Sequence, residues 1–440
     1  MVVLRGELFG FANEFFEFCK NKIEKMNSYL NRFWYLFAIL ILGLLALVTW
    51  ANLQFVKENP GGNDFLVHWV GTRALLMEGT SPYSDAVAER IQTFAYGRPA
   101  APGEHELRVA YPLYSALVFL PYALIENYDL ARALWMTTLE IALVGLAVIC
   151  LRLTRWKMNL WLIPLFLVFS IFWYHSLRPL INGNAVILVS LFLVTAFAAL
   201  RSERDELAGV LIALTTIKPH LVFLPIIIVI IWTLTLGRWK TLLWLVITLV
   251  IMSVSAALFV PDWPLQNLRE ILRYSSYNPP GTPGAVFELW LPASGRRLGW
   301  ALSAILGFVM IIEWGLVIRK EFRWFLWSAC LTLVASQWIG IQTDPGNFIL
   351  LFLPLVLVLA MWVERWGSAG NGLVVFVLLL LFIGPWALFF RTIDFGYQPI
   401  QHPVMFFPLP LFLLATLYWV RWWAIRPPRL LVEELRAIEE

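Results

Sequence analysis

Charge is the scarce ingredient of this chain. Asp, Glu, Lys and Arg make up 14% of its 440 residues, where soluble globular domains carry roughly a quarter. That shortage excludes a water-soluble protein of ordinary composition. Cysteine is nearly missing too. Cys19, Cys150 and Cys330 are far apart, lie in or beside apolar stretches and show no metal or redox spacing. They read as small apolar fillers. A net charge of +4 is too small to suggest nucleic acid, and no such partner is expected. No Gly-rich Walker loop, His-Glu-x-x-His or Gly-x-Ser-x-Gly occurs. Asp-x-Asp is also absent, and with it the usual metal clamp for a nucleotide-diphosphate sugar. Neither a metal nor another cofactor is expected. No internal repeat is visible, and no cleavable leader is expected.

Apolar residues are abundant instead: 60% of the chain, with a mean hydropathy of +0.73. Lipid offers no partner to an open backbone, so such a chain is expected to be an all-α polytopic membrane protein. Its 23 Trp and 13 Tyr suit aromatic belts at the two interfaces. Long apolar runs place spans near 33–50, 130–151, 159–176, 184–200, 207–217, 220–236, 241–260, 298–317, 324–341, 346–363, 372–390 and 406–422. That makes a bundle of about twelve helices.

Tyr111–Ile125, with Pro112 and Pro121, is short for a span and reads as interfacial. The positive-inside rule supports that choice. With a cytoplasmic N-terminus, Arg152, Arg155 and Lys157, then Arg238 and Lys240, then Arg319, Lys320 and Arg323 fall inside. Counting Tyr111–Ile125 as a span would reverse them. The expected organisation is a cytoplasmic amphipathic segment over 1–32, a membrane domain over 33–423 and a cytoplasmic tail over 424–440. Large outer loops cover 51–129 and 261–297. The first should hold a short helix from Asp64 to Met77, stopped by Gly79. The second, rich in Pro and Gly over 278–284, suggests a lid or an irregular loop. The plasma membrane is the expected location, with both termini cytoplasmic.

In this topology the unusual polar residues collect at the outer ends of the spans. Asp64 and His68 are four apart and share a helix face, an arrangement suited to proton abstraction. Asp64 is equally a candidate helix cap. Lys218, next to Pro219 and His220, lies between two apolar half-segments and must snorkel or meet an anion. Arg178 is similarly placed, and two such cations suit a lipid phosphate. Asn182 and Asn184, Asp344, Arg391 and His402 complete the set. Glu140 and Glu313 lie inside spans, where they are either structural or part of a proton path. A proton path would favour a transporter or flippase of lipid-linked sugars, though the paired broken helices of many transporters are not seen.

Several segments resemble a known family. Asp64-Phe65 with His68-Trp69 is followed by Gly79-Thr80-Ser81-Pro82-Tyr83, then Tyr111-Pro112 and Pro121-Tyr122, then Asn182-Gly183-Asn184 and Lys218-Pro219. In this order they resemble the polyprenol-phosphate-mannose-dependent mannosyltransferases of family 87, within the GT-C superfamily of membrane glycosyltransferases. The resemblance implies a GT-C bundle with interfacial helices in the first outer loop, and Asp64 as catalytic base with His68 beside it. It also implies inverting transfer of a hexose or pentose from a polyprenyl-phosphate sugar to a lipid or glycan acceptor at the extracytoplasmic face. Tyr83, Arg178, Asn182, Asn184, Lys218, His220, Asp344, Arg391 and His402 would then contact substrate. Many members carry Ser-Pro-x-Ser-Trp-x-His near the ninth span. This chain reads Ser336 to Pro345 without that His, leaving His402 or His220 to replace it in space.

Overall fold

The computed structural model describes residues 34–277, 281–395 and 399–426. The expected amphipathic segment over 1–32 and the tail beyond 426 lie outside the described residues. Two compact units divide at Asn59 and Pro60. The first contributes one described helix, α1 (Trp34–Glu58), apolar and almost wholly exposed along its length.

Among its described residues the second unit is built of helices and their connections, with one two-residue antiparallel pairing in which Asp394 faces Ile400. It opens with α2 (Asn63–Glu78), α3 (Asp85–Tyr96), a 3-10 turn (Leu113–Ser115) and α4 (Ala116–Ala123). The bundle follows as α5 (Tyr128–Thr154), α6 (Leu162–Phe172), α7 (Tyr174–Asn182), α8 (Val186–Arg201), α9 (Asp205–Thr215), α10 (Pro219–Thr235) and α11 (Lys240–Phe259). Two further helices, α12 (Trp263–Tyr277) and α13 (Pro283–Trp290), lead into α14 (Gly295–Val317) and α15 (Phe322–Ser336). A 3-10 turn (Pro345–Leu351) then enters α16 (Phe352–Trp366), followed by α17 (Ser368–Thr392) and α18 (Pro408–Ile425).

The expected apolar segments lie largely on helices, although 159–176 is split between α6 and α7 and 324–341 leaves its helix at Ser336; twelve spans are not what helix length supports. Seven helices are long and apolar enough to cross a bilayer, eight if the bent α6–α7 pair counts as one span. The chain is therefore an integral membrane protein. α8, α9, α10 and α15 are shorter. At 1.5 Å per residue α9 rises only ~16 Å, about half the thickness of the hydrocarbon core.

The second large loop differs from expectation, because most of it is helix. The turn formers are confined to its middle. Before them, Trp263–Tyr277 carries a regular helical pattern whose inner face is anchored by side chains of the first loop. Behind it α13 lies against α14 with unusual closeness: a Cβ on Gly299 would stand 2.1 Å from the Cα of Gly284. Only glycine permits that approach.

The N-terminus of α2 is held by an aromatic box. Phe65 stacks on Trp135 of α5 at 5.7 Å between ring centroids and on Tyr128 at 6.0 Å, and meets Tyr122 edge-on and Phe119 at a tilt. Burial of so large a ring contributes enough that Phe65→Ala would cost about 3–5 kcal/mol. Trp135 in turn donates its indole N–H to the Gly183 carbonyl at 2.8 Å. The box thus fixes α2 and the α7–α8 turn to the same wall.

Candidate active site

Asp64 lies in the first turn of α2, but it does not cap the helix. The N-cap is Gly62, in the left-handed region at φ 76°, and no side chain caps it. The Asp64 carboxylate turns to the α7–α8 connection instead. Its Oδ2 accepts from the side-chain amides of Asn182 at 2.7 Å and Asn184 at 2.8 Å. Gly183 makes this possible. Its φ is +73°, and a Cβ there would stand 2.5 Å from the Cβ of Phe65. Arg132 reinforces the junction from below, packing under Gly62 and donating to the Ile181 carbonyl at 3.1 Å.

The network continues to Lys218, in the turn between α9 and α10. Its ammonium is buried and donates to Asn184 Oδ1 at 2.8 Å and Asn347 Oδ1 at 2.9 Å. Asn184 Oδ1 also accepts from the Val186 backbone N–H at 2.9 Å. Two donors on that oxygen fix the amide orientation, so the nitrogen must face Asp64. Lys218 therefore does not snorkel; it is satisfied inside the protein, 5.2 Å from the centre of the Tyr111 ring.

Asn347 was not apparent from sequence. It stands in the 3-10 turn that Asp344 caps by accepting from the Gly346 N–H at 2.6 Å. His175 contacts the Pro345 carbonyl at 3.0 Å and steadies the same turn. The sequence signal was the Asp344-Pro345-Gly346-Asn347 stretch itself, a polar turn between two apolar runs like Asn182-Gly183-Asn184.

Burial and charge set the protonation of this cluster. Burial raises the Asp64 carboxyl, and the Asp344 charge raises it further; Lys218, His105 and the Asn184 hydrogen bond pull the other way, and the net shift is upward. A carboxylate moved toward neutrality is a stronger base than an ordinary one. Lys218 is lowered to about 8 by burial, against the upward pull of Asp64 and Asp344. Asp344 itself is exposed and Asp64 is half-buried, so both acids border accessible space. His105, also unforeseen, accepts from the Leu107 N–H through Nδ1 at 3.0 Å and edges onto Tyr277.

His68 sits apart from the carboxylate. Among the described residues no hydrogen bond joins it to Asp64. Its ring is sandwiched between Phe119, stacked at 4.4 Å, and Tyr111 at 4.0 Å. Burial, with Lys218 adding to it, lowers its pKa to about 3, so the imidazole is neutral. It lines a small cavity with Thr72, Pro82, Val109 and Ser115. Tyr83 donates its hydroxyl to the Tyr111 carbonyl at 2.7 Å and so positions the ring between His68 and Lys218.

The remaining candidates are more dispersed. His220 is exposed in the first turn of α10, two residues from Lys218. Arg178 lies on α7 one turn before Asn182, but it donates to the Tyr174 hydroxyl at 3.1 Å and packs over Phe389. Among the described residues no hydrogen bond joins it to the Asp64 network. Arg391 is exposed in the last turn of α17. His402 caps the short turn before α18, accepting from the Val404 N–H at 3.1 Å. Glu313 is paired with Arg421 at 2.9 Å. Among the described residues no group of three or more His, Cys, Asp or Glu is close enough to hold a metal ion.

The cluster thus brings a carboxylate and an ammonium into one hydrogen-bonded network through Asn184. Comparison with known proteins gives one match. The sequence model of glycosyltransferase family 87 matches residues 110–336, more than half of the chain. The matched region includes Tyr111, Asn182, Asn184, Lys218 and His220; Asp64 precedes it, and Asp344 and Asn347 follow. No curated protein and no solved structure matches.

Proposed function

The chain belongs to glycosyltransferase family 87, and from that premise we propose that it transfers a sugar from a polyprenyl-phosphate donor to a hydroxyl acceptor, with Asp64 as base. The observation that carries this reading is the carboxylate of Asp64, half-buried and held by two asparagines, with an ammonium one side chain away. The Asp64 carboxylate takes the acceptor's hydroxyl proton. The acceptor oxygen forms a bond to the anomeric carbon from the face opposite the phosphate, while the bond from that carbon to the phosphate oxygen breaks. The leaving polyprenyl phosphate takes the electron pair, and the configuration inverts. Lys218 stabilises the charge developing on that phosphate, with His220 beside it; such stabilisation is often the largest catalytic contribution.

The donor is a mannose-like hexose or a pentose, and the acceptor is a lipid or a glycan. All twelve apolar segments cross or enter the plasma membrane in this reading, both termini are cytoplasmic and the Asp64 cluster opens on the extracytoplasmic face. The positive residues of the short loops support that orientation. Glu313, one of the two intramembrane acids that would favour a transporter beside Glu140, is held in an ion pair with Arg421.

The test offers several polyprenyl-phosphate sugars to purified protein and identifies products by mass spectrometry. Asp64→Asn is expected to abolish transfer while expression and thermal stability stay near those of the parent. Retained turnover in that variant removes the base assignment.

A further inference from the structure

We infer that α12 is a membrane-seated helix: its leucine face lies in the lipid interface while its polar face is held by the first large loop. The polarity of α12 is the reverse of an ordinary surface helix. Its inner face carries Trp263, Asn267 and Glu270, all buried. Its outer face carries Leu265 at 63% exposure, Leu268 at 50% and Leu272 at 70%. In water that arrangement would leave the apolar side unburied and the polar side packed, the opposite of what folding favours.

The helix cannot rotate to hide its leucines, because polar contacts hold the inner face. Glu270 pairs with Arg108 at 2.6 and 3.2 Å, and the Asn267 amide donates to the Ala110 carbonyl at 3.0 Å. Gln266 accepts from Ser81 at 2.6 Å, and Arg273 pairs with Glu106 at 2.8 Å. Every one of these partners belongs to the first large loop.

Its position points to lipid as the occupant. α11 is long and apolar enough to cross a bilayer, and α12 begins four residues after α11 ends. The last turn of α11 shows Leu258 and Phe259 outward, at 80% and 64% exposure. The Trp263 indole donates back to the Ser253 carbonyl at 3.3 Å, bending the chain sharply at the end of the span. Trp at such a junction suits the headgroup boundary. The outer face of α12 also carries exposed Arg269 and no acid, which complements anionic headgroups. An interfacial helix of this type seats its apolar face about 5–10 Å into the headgroup–acyl boundary.

The consequence reaches the neighbourhood of Asp64. Tyr274 and Tyr277 of α12 stand against His105, whose charge acts on Asp64. Seating α12 in lipid therefore holds His105, and the side of the first loop that carries it, at headgroup depth. The seat itself does not depend on which sugar is transferred, or on Asp64 being a base.

The experiment places one fluorophore on each side of the question. Leu268→Cys and, as a control, Glu89→Cys are made in a background with Cys19, Cys150 and Cys330 replaced, labelled with an environment-sensitive dye and reconstituted in vesicles containing phosphatidylglycerol. Spin-labelled lipids quench from the headgroup, the upper chain or the chain end. The label at 268 is expected to be quenched several-fold more by headgroup and upper-chain probes than by the chain-end probe, and to be protected from aqueous iodide. The label at 89 should show the reverse sensitivity. Equal iodide quenching at both sites, or quenching at 268 that appears only when labelled copies associate, overturns the lipid seat.

Discussion

Asp64 and Lys218 are joined through a single side chain. Asn184 donates to the carboxylate at 2.8 Å and accepts from the ammonium at 2.8 Å. Asn182 reaches only the carboxylate. Hydrogen bonds to charged groups contribute about 1.5–3 kcal/mol, so Asn184→Ala is expected to lower kcat/KM between about tenfold and about 150-fold. Asn182→Ala should lose less, because Lys218 keeps both acceptors. Steady-state kinetics of the two variants decide it, and equal losses would show that the bridge to Lys218 does not matter.

The same pair sets a pH dependence. Transfer needs Asp64 ionised and Lys218 charged. Activity should therefore rise through a carboxylate pKa above the ordinary value and fall past about pH 8. Stability should move the other way on the alkaline side. The folded Lys218 titrates near 8 and the unfolded one near 10.5, so between those values the unfolded chain binds more protons and stability rises with pH. Asp64 has the opposite sign: its raised pKa gives stability at acid pH that is lost as pH rises. Thermal unfolding from pH 8 to 10.5, beside turnover in the same buffers, separates titration of Lys218 from alkaline unfolding. In Lys218→Met the alkaline rise in stability should disappear.

Much of this arrangement was legible in the sequence. Apolar runs locate helices because the bilayer forces backbone hydrogen bonding inside each segment, and Asn182-Gly183-Asn184 with Lys218 stood out as polar groups between apolar halves. What periodicity could not show was the direction of each side chain. His68 shares a helix with Asp64, yet aromatic neighbours from 111 and 119 decide where its ring lies. Asn347 joins Lys218 across more than a hundred residues of chain, a distance no local pattern spans. The helix α12 was obscured by the Pro and Gly cluster that follows it.

Gly183 supplies a prediction that tests the backbone rather than the chemistry. Its left-handed φ and its 2.5 Å approach to Phe65 leave no room for a methyl group. Gly183→Ala should destabilise by about 1–3 kcal/mol through backbone strain and overpacking. It should also separate Asp64 from its asparagines, so that turnover falls more than the loss of folded protein explains. Thermal melts and active-site titration on the same preparation check this. A variant that melts like the parent and keeps its rate would remove Gly183 as the element that joins α2 to the α7–α8 turn.

Arg108 and Glu270 are both buried, and each is the other's main partner. Removing one member of such a pair strands a charge, which typically costs about 3–5 kcal/mol, whereas replacing both with apolar residues is often nearly neutral. Arg108→Met is therefore expected to lower the melting temperature sharply, and Arg108→Met with Glu270→Leu to recover much of the loss. Asp85 also touches Arg108 at 2.7 Å, but its side chain is 80% exposed, so Asp85→Asn should change stability by less than about 1 kcal/mol. The thermal double-mutant cycle reads the coupling directly. If the double variant melts as low as the worse single one, the pair contributes something its burial does not explain, such as a specific fit of α12 to the first loop.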